Sequence, residues 1–186
     1  MLFMGYEIAL QKAWEELLKR NPEDRLSVKF LVDTYEADTR QKTVVSLSCN
    51  TPAKDFTAIL LLHYAARKLR GLPRVSSQWR TFREVSGVEG YSEAFRKRSV
   101  EPIIRKYGKN PQGLLTALER LPAVEAKQAD AAIVITAFEA VPILIEVWAG
   151  DDEFPPEANM LFDASITQIF CTEDIVVLAG FIASSV

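Results

Sequence analysis

Two β-branched, apolar runs, Ala131–Ala137 and Ile143–Trp148, stand on either side of Phe138-Glu139-Ala140. The connection is too short for a crossover, so the two runs read as an antiparallel hairpin. The rest of the chain alternates helix and strand periods. Tyr6, Leu10, Ala13, Trp14 and Leu17 recur at helical spacing, and Asn21-Pro22 closes that run. Val28, Phe30 and Val32, then Val45, Leu47 and Cys49, alternate on either side of the turn at 38–41 and predict a hairpin.

Thr51-Pro52 supplies a helix start and Gly71 a stop, with the apolar centre AILLLHYAA between them. The segment Val75–Val85 reads as a short strand, and Gly87 and Gly90 mark a turn after it. Helices are expected over Tyr91–Tyr107, with Pro102 as a kink, and over Pro111–Leu121. Met160–Phe162 reads as a last short strand. Thr172-Glu173-Asp174 starts a terminal helix. Strands adjacent in sequence, interrupted by helices, predict an α+β fold: a mixed, largely antiparallel sheet with helices packed on it. At 186 residues the chain is expected to form a single domain over 1–186.

Apolar residues make up 48 % and charged residues 25 % of the chain, an ordinary globular composition. The MLFM start lacks a basic region and a small-residue cleavage site, and the longest apolar run, Ile175–Ile182, is short for a bilayer of ~30 Å. No membrane association is expected, and with only Cys49 and Cys171 the expected setting is cytoplasmic, reducing and without a disulfide. Two cysteines cannot build a four-ligand zinc or iron–sulfur site.

The net charge is only −3, but its distribution is uneven. Between residues 64 and 118 there are twelve basic against four acidic side chains; from 119 to the end there are twelve acidic against two basic. Either these halves answer one another, or the basic face meets a small anion or an acidic protein partner. Overall acidity argues against nucleic acid.

The series ILLLHYAARKLRGLP, WRTFREVSGVEGYSEAFRKR, YG and GDDEFPPEANMLFDASITQIFCTED runs in order through most of the chain. In these segments the sequence resembles an uncharacterised prokaryotic family defined only as a domain of unknown function. The resemblance implies a setting in anaerobic bacteria and archaea, where some members are fused to an iron–sulfur cluster domain of the corrinoid-protein type. It carries over no catalytic residue. This chain departs from such fusions in having no N-terminal cysteine cluster, and it has Ala129-Asp130 where relatives have Gly-Asp.

Few parts for catalysis are present. His63 is the only histidine, which excludes a histidine metal cluster; on the expected helix it shares a face with Arg67, either as an anion-gripping pair or as an internally satisfied imidazole. Cys171 precedes a helix start, where the dipole would favour a thiolate, while inert packing is the alternative for both cysteines. Trp79-Arg80-Thr81-Phe82-Arg83 offers Trp79 and Arg83 for stacking and charge, against the plainer reading of an aromatic core covered by arginine stems. The stretch GDDEFPPEANMLFD gathers Asp151, Asp152, Glu153, Glu157 and Asp163 around Pro155-Pro156. Its spacing fails the calcium-loop template, so no metal is expected, with Asp152, Glu153 and Asp163 as the candidate ligands should one bind. Nucleotide-binding glycine motifs are absent and no cofactor is expected.

No activity is assigned by these residues. The reading they favour is a cytoplasmic binding or accessory module, compatible with a homodimer, not a free-standing enzyme. Its expected ligand surface comprises His63, Arg67, Trp79, Arg83, Asp152, Glu153 and Asp163. The alternatives are a divalent-metal-dependent enzyme using the acidic loop and a structural subunit of a complex.

Overall fold

The computed structural model describes residues 3–86 and 89–186. Met1 and Leu2, part of the apolar start, and Gly87, assigned above to a turn, lie outside the described residues. The fold is α+β, and every strand pair in it is antiparallel. Contacts divide the chain into two compact units, Met1–Pro73 and Arg74–Val186. No described helix is long and apolar enough to cross a membrane.

The first unit has two helices and a three-stranded meander. Helix α1 (Phe3–Leu18) buries Ala13, Trp14 and Leu17, at the helical spacing that marked them in the sequence, and packs on α2 (Asp55–Leu69). The meander is β1 (Arg25–Phe30), β2 (Asp33–Asp38) and β3 (Thr43–Ser46), in that order. The expected hairpin therefore has an extra strand at its centre. The sequence DTYEAD is too polar to announce itself, and buries only Ala37. Pro52 does not open α2 either: it forms a bridge with Val45, and the helix begins three residues on. Gly71, with φ +97°, ends the chain's helical path after Arg70 as expected.

The second unit is a five-stranded sheet in the order β4-β8-β7-β6-β5, formed by β4 (Trp79–Thr81), β5 (Ala123–Ala126), β6 (Ala131–Phe138), β7 (Val141–Trp148) and β8 (Glu157–Asp163). The expected β6–β7 hairpin is its centre, with Ile133 opposite Ile145 and Ile135 opposite Ile143, all four fully buried. Ala158, Met160 and Phe162 continue that apolar face on β8, opposite Val147, Ile145 and Ile143.

Helices cover this face. Phe82, at the start of α3 (Phe82–Ser86), stacks on Phe95 at 4.2 Å, and Phe95, at the end of α4 (Ser92–Phe95), meets Phe162 at 6.0 Å. The single helix expected over Tyr91–Tyr107 is broken into α4, a π-helical turn (Arg96–Val100) and α5 (Glu101–Tyr107). Pro102 sits in the first turn of α5, directly after that π-helical turn. A 3₁₀ helix (Pro111–Glu119) follows, and α6 (Thr172–Ser185) closes the chain.

Candidate functional site

The acidic segment that stood out in the sequence is divided by the fold into parts with different roles. At the start, Asp151 Oδ1 accepts hydrogen bonds from the backbone N–H of Glu153 (2.8 Å) and Phe154 (2.7 Å), and its own N–H donates to the Phe154 carbonyl at 2.9 Å. This closed turn answers the Asp151 charge with backbone donors, which hold its carboxyl below the usual range. Asp152 and Glu153 are exposed beside it.

The turn is clamped by a proline. A Cβ built on Gly108 would lie 2.7 Å from Pro156 Cβ, and one built on Gly150 would lie 2.6 Å from Pro156 Cδ. Pro156 is thus seated against two glycines, one at the end of α5 and one at the end of β7, where no side chain could stand. Tyr107-Gly108 and the stretch from Gly150 to Pro156, which lie in segments that carry the family resemblance, belong to this one joint.

At the far end of β8, Asp163 is only 1 % exposed. Its Oδ1 accepts from the N–H (3.0 Å) and hydroxyl (2.9 Å) of Ser76 and from the N–H (2.9 Å) and hydroxyl (2.6 Å) of Ser165. Burial alone would raise its pKa. The hydrogen bonds from Ser165 and Ser76 outweigh it and bring the carboxyl down to about 2. Asp163 stands across from Trp79 in the β4–β8 register and joins the incoming Ser76 loop to the turn after β8. Six residues of strand at about 3.4 Å each put roughly 20 Å between the ends of β8. Asp163 is therefore remote from Asp152 and Glu153, and its role is structural. Among the described residues no group of three or more His, Cys, Asp or Glu is gathered as a metal ion would need.

The other expected residues are distributed as follows. Half-buried His63 and Arg67 are on α2 in the first unit, where the Arg67 guanidinium donates to the Gly71 carbonyl and satisfies the end of its own helix. Trp79 and Arg83 are in the second unit, Trp79 on β4 and Arg83 exposed on α3.

A cleft of about 680 Å³ lies on the second unit between α5, the π-helical turn and the first half of β8. Arg96, Glu101, Ile104 and Arg105 form its helical wall; Pro155, Pro156, Glu157, Ala158 and Asn159 form the other. Positions 101, 104 and 105 share one face of α5, which sets an apolar side chain between charged ones. Arg96 Nε is 3.8 Å from Glu101 Oε1 in an exposed pair worth little by itself. Behind the cleft, Asn159 Nδ2 donates to Glu146 Oε2 at 3.5 Å, and Gln128 Nε2 donates to Glu146 Oε1 at 3.1 Å. Glu146 is 8 % exposed, and these two amides orient its carboxylate within the sheet.

Sequence reasoning did not single out Arg105 or Glu146. The lone carboxylate within ILIEVW was a usable signal, because a charge in an otherwise apolar strand requires a partner. Nothing in the sequence links Arg96 and Arg105 to β8.

The two cysteines differ. Cys49 is exposed, with its Sγ 3.2 Å from Ser46 Oγ and 2.9 Å from Thr51 Oγ1, and these hydroxyls lower its pKa. Cys171, not Thr172, is the N-cap of α6, and it shares a capping box with Asp174. Although it keeps part of its surface in water, withdrawal of its sulfur from solvent and the Asp174 carboxylate push its thiol up to about 12. The helix dipole thus does not produce a thiolate at Cys171.

The family model described as "Domain of unknown function (DUF3786)" matches residues 10–185. No curated protein and no solved structure matches the chain.

Proposed function

The chain belongs to the DUF3786 family of unknown function, and on that premise we propose that it is a binding module that holds an anionic partner in the α5–β8 cleft. One observation carries this reading: two exposed guanidinium groups, Arg96 and Arg105, share a cleft with the apolar Ile104 and Pro155-Pro156 and with the Asn159 amide. Guanidinium groups pair with carboxylate or phosphate through forked hydrogen bonds, and an apolar wall beside them excludes competing water. An accessory role in anaerobic metabolism is part of this proposal and rests on the sequence resemblance alone.

The test is a thermal-shift titration with citrate and with a short polyglutamate. Both raise the melting temperature by mass action if the cleft binds carboxylates in the folded state. The shift should vanish in the double variant Arg96→Ala/Arg105→Ala and persist in Arg74→Ala, an exposed arginine outside the cleft lining. Equal shifts in all three proteins, or none in the parent, refute the reading.

A further inference from the structure

The charged side chains lining the α5–β8 cleft balance, Arg96 and Arg105 against Glu101 and Glu157. Two of them answer one another, since Arg96 Nε lies 3.8 Å from Glu101 Oε1. Arg105 and Glu157 are left over. Both are exposed, and neither side chain forms an ion pair or hydrogen bond with any described residue.

The fold nevertheless holds these two charges at the same end of the cleft. A Cβ on Gly108 would fall 2.6 Å from the Ile104 carbonyl oxygen and 2.7 Å from Pro156 Cβ, so Ile104 and Pro156 are near neighbours. Arg105 and Glu157 are each the next residue along, one on either wall. The alternation of β8 keeps their side chains apart. Ala158 and Met160 are buried on the helical face, so Glu157 and Asn159 turn away from the helices.

Asn159 has a fixed polarity. The Glu146 carboxylate only accepts, so the Asn159 amide turns its Nδ2 to Glu146 Oε2 at 3.5 Å, while Gln128 Nε2 holds Oε1 at 3.1 Å. Asn159 Oδ1 receives no hydrogen bond from a described residue and is an acceptor in the lining. The uncommitted groups are therefore a forked donor on one wall, the Arg105 guanidinium, and two acceptors on the other, the Glu157 carboxylate and Asn159 Oδ1. Their charges sum to zero. A ligand of one sign satisfies one wall and meets a like charge on the other, whereas a ligand carrying both signs satisfies both.

Resting on the reading of this cleft as an anion site, we infer that the anionic group it takes is the carboxylate of a zwitterion of the amino-acid or short-peptide class. The carboxylate pairs with the Arg105 fork. The ammonium, with three donors and no acceptor, is held by Glu157 and Asn159 Oδ1. The apolar part between the two charges lies on Ile104 and Pro156, in a cleft whose volume of about 680 Å³ is ordinary for a small-molecule site.

The probe is 6-aminohexanoate, compared with hexanoate and hexylammonium, which share its length and keep one charge each. Isothermal titration against the full chain at fixed ionic strength should give the zwitterion a Kd about fivefold or more below that of either analogue, the gain from one added charged hydrogen bond. Glu157→Gln, at an exposed position, should weaken 6-aminohexanoate by about fivefold or more and strengthen citrate, because it removes the ammonium's partner and a charge that repels citrate. Loss of fold weakens both ligands, so opposite signs exclude it. Arg105→Ala should abolish binding of 6-aminohexanoate.

Three results overturn the zwitterion while citrate still raises the melting temperature and the anion-binding reading stands. They are hexanoate binding as tightly as 6-aminohexanoate, Glu157→Gln failing to move the two ligands in opposite directions, and 6-aminohexanoate binding retained in Arg105→Ala. Binding of 6-aminohexanoate with no response to citrate or polyglutamate refutes the net-anionic partner and keeps the zwitterion. No response to any of the probes overturns both.

Discussion

Pro156 is packed against Gly108 so closely that a Cβ on the glycine would fall 2.7 Å from Pro156 Cβ and 2.6 Å from the Ile104 carbonyl oxygen. This contact ties the end of α5 to the start of β8 and so fixes both walls of the cleft. A Cβ on Gly150, past the end of β7, would fall 2.7 Å from the nitrogen of the same proline. Gly108→Ala and Gly150→Ala should each destabilise the fold by about 1–3 kcal/mol, the usual cost of forcing volume into a filled site. Urea denaturation measures this, and an unchanged midpoint for both variants would contradict the packing described.

Ala129 has φ +72°, in the left-handed region that costs an L-residue roughly 1–2 kcal/mol. The turn it forms leads into Asp130, whose Oδ2 accepts from the Ala149 N–H at 2.8 Å. Ala129→Gly relieves the backbone at the expense of greater freedom in the unfolded chain, for a net gain of up to about 1 kcal/mol. A lowered melting temperature for this variant would show that the turn is not strained by its side chain.

Asp163 ties stability to pH. Its folded pKa of about 2 lies below the ordinary aspartate value of 3.8, so its contribution is present above the unfolded pKa and is lost as pH falls through the folded one. At 1.36 kcal/mol per unit, the difference is on the order of 2 kcal/mol. Asp163→Asn should lose an amount of that order at neutral pH and flatten the stability curve between about pH 4 and pH 2. An acid limb as steep as the parent's would assign that limb to other carboxylates.

Thiol reactivity should separate the cysteines. Cys49 is exposed with a lowered pKa, whereas Cys171 is held protonated to about 12. Alkylation with iodoacetamide at neutral pH followed by peptide mapping should therefore label Cys49 first, because the thiolate is the nucleophile. Ser46→Ala should slow that labelling by removing a hydroxyl beside the sulfur. Equal rates at the two sites would contradict the environments described.

Local physics made much of the fold legible. The β6–β7 hairpin follows from β-branched runs too close for any other connection, and α1 and α2 follow from apolar spacing and a stop at Gly71. By contrast, β2 and β5 escaped notice. DTYEAD and AVEA carry little apolar alternation, and they are strands because their neighbours offer backbone partners. The family resemblance was legible too, in motifs whose geometry was not: Tyr107-Gly108 and Gly150…Pro156 form one joint, though some forty residues separate them.

The amino-acid order by itself determined the α+β class, the central hairpin and the dense acidic segment after it, because these depend on neighbours within a few residues. Tertiary structure alone decided what that segment does. Counting charges cannot show that Asp151 answers its own backbone, that Asp163 is buried among serines, or that Arg96 and Arg105 line one cleft with Pro156 and Asn159. A carboxylate's role depends on which donors reach it through space, and for Asp163 those donors come from Ser76 and Ser165.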